Sequence, residues 1–293
     1  MLPEFDLFRP HTLPEALAML AEQAPDVMPL AGGTNVIIEL RDGHSSPKML
    51  MDMSKLRELR GIRRDDGRVV PNVVIGGGTT IAELLTHPLI VEHGLPLQQA
   101  AAKLGNPLVR NRATVAGNLV NASPAADTAP PLIALGAEVE LASQASSRRV
   151  PLDEFIVGVN KTCIRPDELV LAIRWPVPPA RGAAGFYKIG LRKADACSVI
   201  NAAVMVVWDE SGRCQQARIA IGAAAPRPVR ARKAEAALQG QPLTDDVIAE
   251  AAHLAAQATQ PIDDIRGTAA YRRRMAEVIV RRLLISIART LNC

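Results

Sequence analysis

Two short glycine-bearing segments carry the clearest chemistry in this 293-residue chain: Ala31-Gly32-Gly33-Thr34-Asn35 and Thr114-Val115-Ala116-Gly117-Asn118. Glycine reaches φ > 0 at little cost and lets a ligand come close to the backbone. Successive amide N–H groups in such a turn form a concave nest that holds an anion. One nest suits a phosphate, and two suit a diphosphate. Either segment alone also reads as a tight turn with no ligand. A third segment, Asn121 to Pro131, sets polar residues between apolar ones. Its Asp127 carboxylate can accept both hydroxyls of a ribose or ribityl chain, or it can cap a helix running from Thr128 onward.

Other chemistries do not fit the pattern. No G-x-x-x-x-G-K-[ST], H-E-x-x-H or G-x-S-x-G motif occurs, and Gly76-Gly77-Gly78 is not followed by glycine at 81, so the dinucleotide fingerprint fails. The five histidines, His11, His44, His87, His93 and His253, are dispersed and read as surface or turn residues rather than general bases. Cys163, Cys197, Cys214 and Cys293 form no C-x-x-C or C-x-x-H pattern, which argues against zinc or an iron–sulfur cluster held by this chain alone. Four cysteines at this length read as reduced thiols in a cytoplasmic protein. Aromatic residues are only 3% of the chain, too few for a surface that stacks single-stranded bases. The net charge of +4, from 34 Lys and Arg against 30 Asp and Glu, is too small to imply a polyanionic partner. The first ten residues carry Glu4 and Asp6 and no apolar stretch, so no signal peptide is expected. Apolar runs such as Ala202 to Trp208 are too short to span a bilayer.

The elements that must position these residues follow from local signals. Thr12-Leu13-Pro14-Glu15 is a capping box, with Leu13, Ala16, Leu17 and Leu20 on one helical face. Val27 to Leu30 reads as a strand ended by Gly32-Gly33, Val36 to Leu40 is apolar again, and Lys48 to Asp52 reads as a strand. Residues 1–53 thus form a βαβ-like unit. From Ser54, Gly61 to Arg64 and Arg68 to Ile75 read as strands joined at Asp65-Asp66-Gly67. Gly76-Gly77-Gly78 breaks the second strand, and Thr79 to Leu85 is expected as helix. Leu97 to Leu104 reads as a helix, Thr114 to Pro131 as irregular, and Ala137 to Leu141 and Glu168 to Trp175 as strands. Pro176-Val177-Pro178-Pro179 suits a stiff connector between domains. Beyond it, Phe186 to Lys193, Ser198 to Trp208 and Gln215 to Ala223 read as strands, the last two joined by Asp209-Glu210-Ser211-Gly212. Arg227 to Gln239, Asp245 to Ala258 and Thr268 to Leu291 read as helices. Single cores stop growing near ~250–300 residues. The expectation is therefore an α+β protein of two domains: 1–175, divided into 1–53 and 54–175, and 180–293, a three-stranded antiparallel sheet with helices.

Taken in order, six segments resemble the medium, FAD-binding subunit of the molybdenum hydroxylases, the family of xanthine dehydrogenase and carbon monoxide dehydrogenase. They are Phe5-Asp6-Leu7-Phe8-Arg9-Pro10, Ala31 to Asn35, Ile75-Gly76-Gly77-Gly78-Thr79-Thr80, Val109 to Asn118, Pro166-Asp167-Glu168-Leu169-Val170 and Ala270-Tyr271-Arg272. The resemblance covers essentially the whole chain. It implies a two-part FAD-binding domain of the PCMH type, followed by a domain like the carbon monoxide dehydrogenase flavoprotein C-terminal domain. It implies that Met28, Pro29, Leu30, Ala31, Gly32, Gly33, Thr34 and Asn35, with Ala113, Thr114, Val115, Ala116, Gly117 and Asn118, line FAD, the glycine turns holding its diphosphate. By the same resemblance Asp127 binds the sugar hydroxyls, Leu169 flanks the adenine side and Lys188 lies near the isoalloxazine. A lysine in that strand also reads as merely solvated.

The resemblance further implies partners: a large subunit with the molybdenum cofactor and a small subunit with [2Fe–2S] clusters, as a dimer of heterotrimers. Electrons would pass through FAD to NAD or another acceptor. No catalytic residue and no metal ligand is expected in this chain. The sequence departs from the family at Asn35, often Asp or Ser, and at Ala116, often Gly, which leaves φ > 0 cheap only at Gly117 in the second turn. Ala196 falls where the carbon monoxide enzymes place a tyrosine over the flavin. Ile219 to Pro228 is closer to xanthine dehydrogenase-like members, which points to an N-heterocycle or aldehyde as the complex's substrate. Two rival readings are a self-contained FAD oxidoreductase and an anion or nucleic-acid binder using the last helix. Arg272, Arg273, Arg274, Arg281 and Arg282 on that helix read first as a solvated face, and otherwise as a docking face for an acidic partner.

Overall fold

The computed structural model describes residues 2–67 and 70–291. In the first unit, Thr12 Oγ1 accepts from the Glu15 amide, and the Glu15 carboxylate accepts from the His11 amide at 2.8 Å, so the capping box closes one residue further out than usual. It starts α1 (Leu13–Gln23), which lies between β1 (Asp6–Phe8) and β2 (Val27–Leu30) in sequence. α2 (Val36–Arg41) then leads to β3 (Met49–Asp52). The three strands pair in parallel in the order β1-β3-β2, with Met28 opposite Leu50 and Pro29 opposite Met51. Ala16, Leu17 and Leu20 of α1 bury against Val27, Met51, Leu56, Leu59 and Leu169. The βαβ unit is as expected from sequence, and β1 is an added edge.

The second unit is a five-stranded antiparallel sheet in the order β4-β5-β10-β6-β7. Its elements are β4 (Ile62–Asp65), β5 (Asn72–Gly76), α3 (Pro88–His93), α4 (Leu95–Lys103), α5 (Pro107–Arg110), α6 (Val115–Val120), α7 (Ala129–Ala134), β6 (Glu138–Ala142), β7 (Ser147–Pro151), α8 (Leu152–Phe155), β8 (Ile156–Gly158), β9 (Lys161–Thr162) and β10 (Leu169–Pro176). Two expectations are corrected here. Thr79 to Leu85 is not a helix beyond a 3-10 turn at Glu83–Leu85, because its backbone is claimed by another segment: the Ile81 amide bonds the Ala113 carbonyl, and the Thr79 carbonyl accepts from Val115. Thr114 to Pro131 is not irregular, because it contains α6, capped by Thr114, and α7, whose prolines sit in the first turn where no N–H is needed. The expected strand from Arg68 begins outside the described residues, and its described part is β5.

The third unit is antiparallel in the order β11-β12-β13-β14, from β11 (Gly182–Gly190), β12 (Ser198–Trp208), β13 (Cys214–Gly222) and β14 (Val229–Arg230). The fourth strand is only two residues long and takes the start of the segment expected as helix from Arg227. α9 (Arg232–Leu238), α10 (Asp245–Gln257) and α11 (Ala269–Leu291) follow. Residues 198–207 of β12 are buried on both faces. Ile200, Ala202, Val204 and Val206 pack under α11 in one apolar core with α10, while Ala203, Met205 and Val207 join the core of the second unit with Leu97 and Ala100. A continuous apolar run is the sequence mark of such a doubly covered strand. The seam is also hydrogen-bonded, since the Phe186 amide donates to Gln99 Oε1 at 2.7 Å.

Among the described residues, no helix is long and apolar enough to cross a membrane. Cys163, Cys197 and Cys214 are free thiols, and Cys293 lies outside the described residues.

The turn that begins β10 is held by Glu168. Its carboxylate takes a bidentate fork from Arg148 at 2.7 and 2.8 Å and the Arg165 amide at 2.8 Å. The Arg148 guanidinium, above all, holds Glu168 below the ordinary glutamate value of 4.5. A carboxylate depressed in the folded state stabilises fully above its unfolded value and loses that contribution as pH falls through the lowered one. Glu168→Gln should therefore cost about 2–3 kcal/mol near neutral pH and flatten the acid limb of stability below pH 4.5. Urea unfolding from pH 3 to pH 7 measures this, and parallel acid limbs for the two proteins would refute it.

Candidate functional site

The two glycine segments meet. Gly32, in the loop from β2 to α2, lies so close to the segment before α6 that a Cβ there would stand 2.0 Å from the Arg112 carbonyl oxygen. The second segment is in turn held by the loop after β5. The Gly77 and Gly78 amides donate to the Leu171 and Leu59 carbonyls, and Thr80 bridges to Thr114. A Cβ on Gly76 or Gly77 would fall 2.5 or 2.4 Å from the carbonyl oxygens of Leu59 and Val170. These glycines serve close backbone packing. Only Gly33 uses the left-handed region, at φ +75°.

Gly117 corrects the sequence reading, because its φ is not positive. It lies in the first turn of α6, where its amide donates to Thr114 Oγ1 at 3.1 Å and a Cβ would meet that oxygen at 2.9 Å. The second segment is thus a capped helix start rather than a free turn. Asn118 is occupied inside the protein, its Oδ1 accepting from Thr128 Oγ1 at 2.6 Å.

The chemistry of the donors fits a diphosphate. Among the described residues, the amides of Gly32, Gly33, Thr34 and Asn35 have no protein hydrogen-bond partner, and Gly32 to Thr34 are half-buried. Unpaired amides in such a half-exposed loop are open to an acceptor. Four in succession around a left-handed glycine make an anion nest. Met28, Pro29 and Leu30 of β2 lead into it and are half-buried. Ala113 and Val115 are buried beside it as core, and Ala116 is buried against Gly77.

Asp127 does not cap a helix. α7 has Thr128 as its N-cap, with no side-chain cap bond, and Asp127 turns instead to the C-terminal sheet. Its Oδ2 lies 2.5 Å from Lys188 Nζ, and its Oδ1 accepts from Ser198 Oγ at 2.7 Å and Asn201 Nδ2 at 3.1 Å. Lys188 Nζ also donates to the Lys103 carbonyl at 3.0 Å. The two charged side chains are 7% and 6% exposed, so the solvated reading of Lys188 is overturned. Burial pushes the Asp127 carboxyl above its ordinary value, against the pull of Lys188. Ser198 and Asn201 were missed by sequence reasoning. Their only signal is polar residues three apart at the head of an apolar strand. The fit is tight, because a Cβ on Gly222 would stand 2.3 Å from Asn201 Oδ1.

Leu169 is buried with the first unit's core, beside Val27 and Met51, where β10 starts. The arginines of α11 do not form one solvated face. Arg272 is 2% exposed and pairs with Asp264, donating also toward the Ala223 carbonyl, whereas Arg273, Arg274, Arg281 and Arg282 are exposed. Among the described residues no group of three His, Cys, Asp or Glu side chains could hold a metal ion.

Residues 3–178 match the family described as the FAD-binding domain in molybdopterin dehydrogenase, and residues 185–287 match the CO dehydrogenase flavoprotein C-terminal domain. The 6-hydroxypseudooxynicotine dehydrogenase complex subunit alpha of Paenarthrobacter nicotinovorans is 33% identical over 96% of this chain and 94% of its own. The xanthine dehydrogenase FAD-binding subunit of Escherichia coli O157:H7 is 31% identical over 94% of this chain and 93% of its own. A solved structure of carbon monoxide dehydrogenase from Hydrogenophaga pseudoflava, in a form lacking the Mo-pyranopterin moiety, aligns with a TM-score of 0.93 at 30% identity, covering 99% of both chains. The chain belongs to the FAD-binding family of molybdopterin dehydrogenases. It is the FAD subunit of an oxidoreductase of the molybdenum hydroxylase class.

Two outcomes are expected of the site. Gly32→Ala should abolish FAD binding, because its Cβ has no room against the Arg112 backbone. Gly33→Ala should only weaken it, since its Cβ meets nothing closer than 3.5 Å and the left-handed backbone costs about 1–2 kcal/mol. Fluorescence titration with FAD measures both, and equal affinities for the two variants would contradict the packing argument. Asp127→Asn should destabilise the chain by about 3–5 kcal/mol, by leaving the Lys188 ammonium buried and unpaired. Asp127→Asn with Lys188→Met should recover much of that loss in urea unfolding. A double variant as unstable as the sum of the singles would show that the pair is not coupled.

Proposed function

We propose that this chain is the electron-transfer subunit of its complex, taking electrons from [2Fe–2S] clusters on a small partner and delivering them through FAD to NAD or another acceptor. A large partner would hold the molybdenum cofactor and oxidise the substrate, and two such heterotrimers would form the cytoplasmic particle. The observation that carries this reading is the run of four unpaired amides at Gly32 to Asn35, braced against the start of α6.

Bound there, FAD supplies the redox chemistry, and the chain supplies binding, orientation and electrostatics. In this reading Met28 to Asn35 and Ala113 to Asn118 line the cofactor, the Gly32 to Asn35 amides donating to the diphosphate. Asp127 and Lys188 are suited to its sugar and ring end by donor arithmetic. A carboxylate has about four acceptor sites and an ammonium three donors. The protein takes three of the former through Lys188, Ser198 and Asn201, and two of the latter through Asp127 and the Lys103 carbonyl. Each therefore has room for one more hydrogen bond, so Asp127 accepts from one hydroxyl rather than two. Leu169 flanks the adenine side. Residues 1–175 act as the FAD-binding domain, in parts 1–53 and 54–175, and residues 180–293 close the site.

The relatives support a division of labour. Proteins about equally similar to this chain carry the names of dehydrogenases for a nicotine derivative, nicotinate, xanthine and carbon monoxide. A part shared so evenly is not the part that distinguishes those substrates.

The purified chain should show bound-flavin bands and pass electrons from NADH to an artificial dye. It should hydroxylate substrates only when the large and small chains are added. Anaerobic mixing with N-heterocycles and aldehydes tests this, and flavin reduction by any of them in the isolated chain would establish a self-contained oxidoreductase instead.

A further inference from the structure

A second cationic site lies at the seam between the domains, built from none of the residues assigned to FAD. It is a cleft of about 430 Å³ formed by Asp153 and Val157 on one side and the segment from Ala225 to Arg232 on the other, with Gln260 at its edge. Three guanidiniums converge on Asp153, two of them on its carboxylate. Arg232 Nη2 lies 2.8 Å and Arg230 Nη1 3.6 Å from the same Asp153 oxygen, and Arg227 Nη1 donates to the Asp153 backbone carbonyl at 3.2 Å. Arg230 also pairs with Glu235 at 3.0 Å.

Arg218 adds a fourth cation. Its guanidinium packs on Gly136, it has no hydrogen-bond or ion-pair partner among the described residues, and burial and the neighbouring Arg230 outweigh the support that Glu235 and Asp153 give its charge. Around the cleft, Arg218, Arg227, Arg230 and Arg232 outnumber Asp153 and Glu235 by two charges, with Arg218 and Glu235 behind its lining. Arg227 has no carboxylate at all, and Arg227 and Arg232 are exposed, so their remaining N–H donors are free to turn into the cleft. Guanidinium forks match the paired oxygens of a phosphate. Val157, Ala225 and Pro226 give the same cleft an apolar wall.

We propose that this cleft binds a phosphate-bearing small molecule, with Arg227 and Arg232 gripping its dianionic phosphate and the Val157–Pro226 wall meeting its organic part. The charge excess matches a dianion, and the wall separates this site from one built for a bare ion. Binding would bridge the two domains, because the arginines that grip the phosphate and Val157, which meets the organic part, belong to opposite sides of the seam.

Calorimetric titration of the full chain with inorganic phosphate, AMP and malonate tests the proposal. The chain is first saturated with FAD so that the amide nest is filled. If it takes up no FAD, which would count against the cofactor reading alone, the Gly32→Ala background silences the nest instead. AMP should bind more tightly than phosphate, and malonate more weakly than either. Arg227→Gln with Arg232→Gln should weaken AMP about tenfold or more, with Arg230 left to brace Glu235. Should that pair impair folding, Arg227→Lys, which keeps the charge and loses the fork, should still weaken AMP severalfold. Undetectable binding of phosphate and AMP, binding unchanged in the variants, or malonate binding as tightly as phosphate would each overturn it.

Discussion

Asp127 is a buried carboxylate of the first domain whose countercharge and hydrogen-bond donors all belong to the second. Lys188 sits on β11, and Ser198 and Asn201 on β12. A charge so enclosed costs several kcal/mol unless it is paired. The same burial pushes its carboxyl above the ordinary value. Neither the carboxylate nor the ammonium has another ionic partner in the described structure, so each is tolerable only with the domains joined. The apolar side of the same seam has the same logic. Ala203, Met205 and Val207 would be a bare sheet face without Leu97 and Ala100. Hydrophobic burial drives the closure, and the polar cluster fixes its register, since a one-residue slip of β12 would turn Ser198 and Asn201 away from Asp127.

The amide nest depends on a different constraint, the distance between backbones. Gly32, Gly76 and Gly77 each sit where a methyl group would strike a carbonyl oxygen. Together they bring the loops after β2 and β5 and the start of α6 into one place. The donors that result are main-chain groups, which any side-chain sequence can present once the packing is right. That is why Asn35 and Ala116 can depart from the residues common in the family without removing the nest.

Local signals made much of this legible in the sequence. The Thr12 cap, the βαβ unit, the hairpin at Asp209 to Gly212 and the last two helices are each specified within a few neighbouring residues. The glycine segments were legible as sites but not as structures, because Gly117 marks a capped helix start and only Gly33 a left-handed turn. Thr79 to Leu85 was misread as helix since its backbone partners, Ala113 and Val115, lie far along the chain. Arg272 looked like its exposed neighbours, and its burial depends on Asp264, eight residues away in a preceding turn. Ser198 and Asn201 opened a strand that read as purely apolar. For Thr79 to Leu85, Ser198 and Asn201 the deciding partner is distant in sequence, which periodicity and propensity do not report.

The seam carries charge in two forms, and burial separates their roles. The Asp127–Lys188 pair is buried and electrically balanced, so its effect on the joint is specificity: it accepts only the geometry in which both partners meet. The arginines around Asp153 are partly wet and unbalanced. Exposed ion pairs there contribute little to stability, because solvent screens them and the side chains lose freedom on pairing. Four cations for two carboxylates is therefore a poor device for holding domains together by itself. The excess leaves a positive field at the mouth of a cleft, where low-dielectric walls concentrate it toward an approaching anion. The buried pair decides how the domains join, and the exposed excess gives that joint something to respond to.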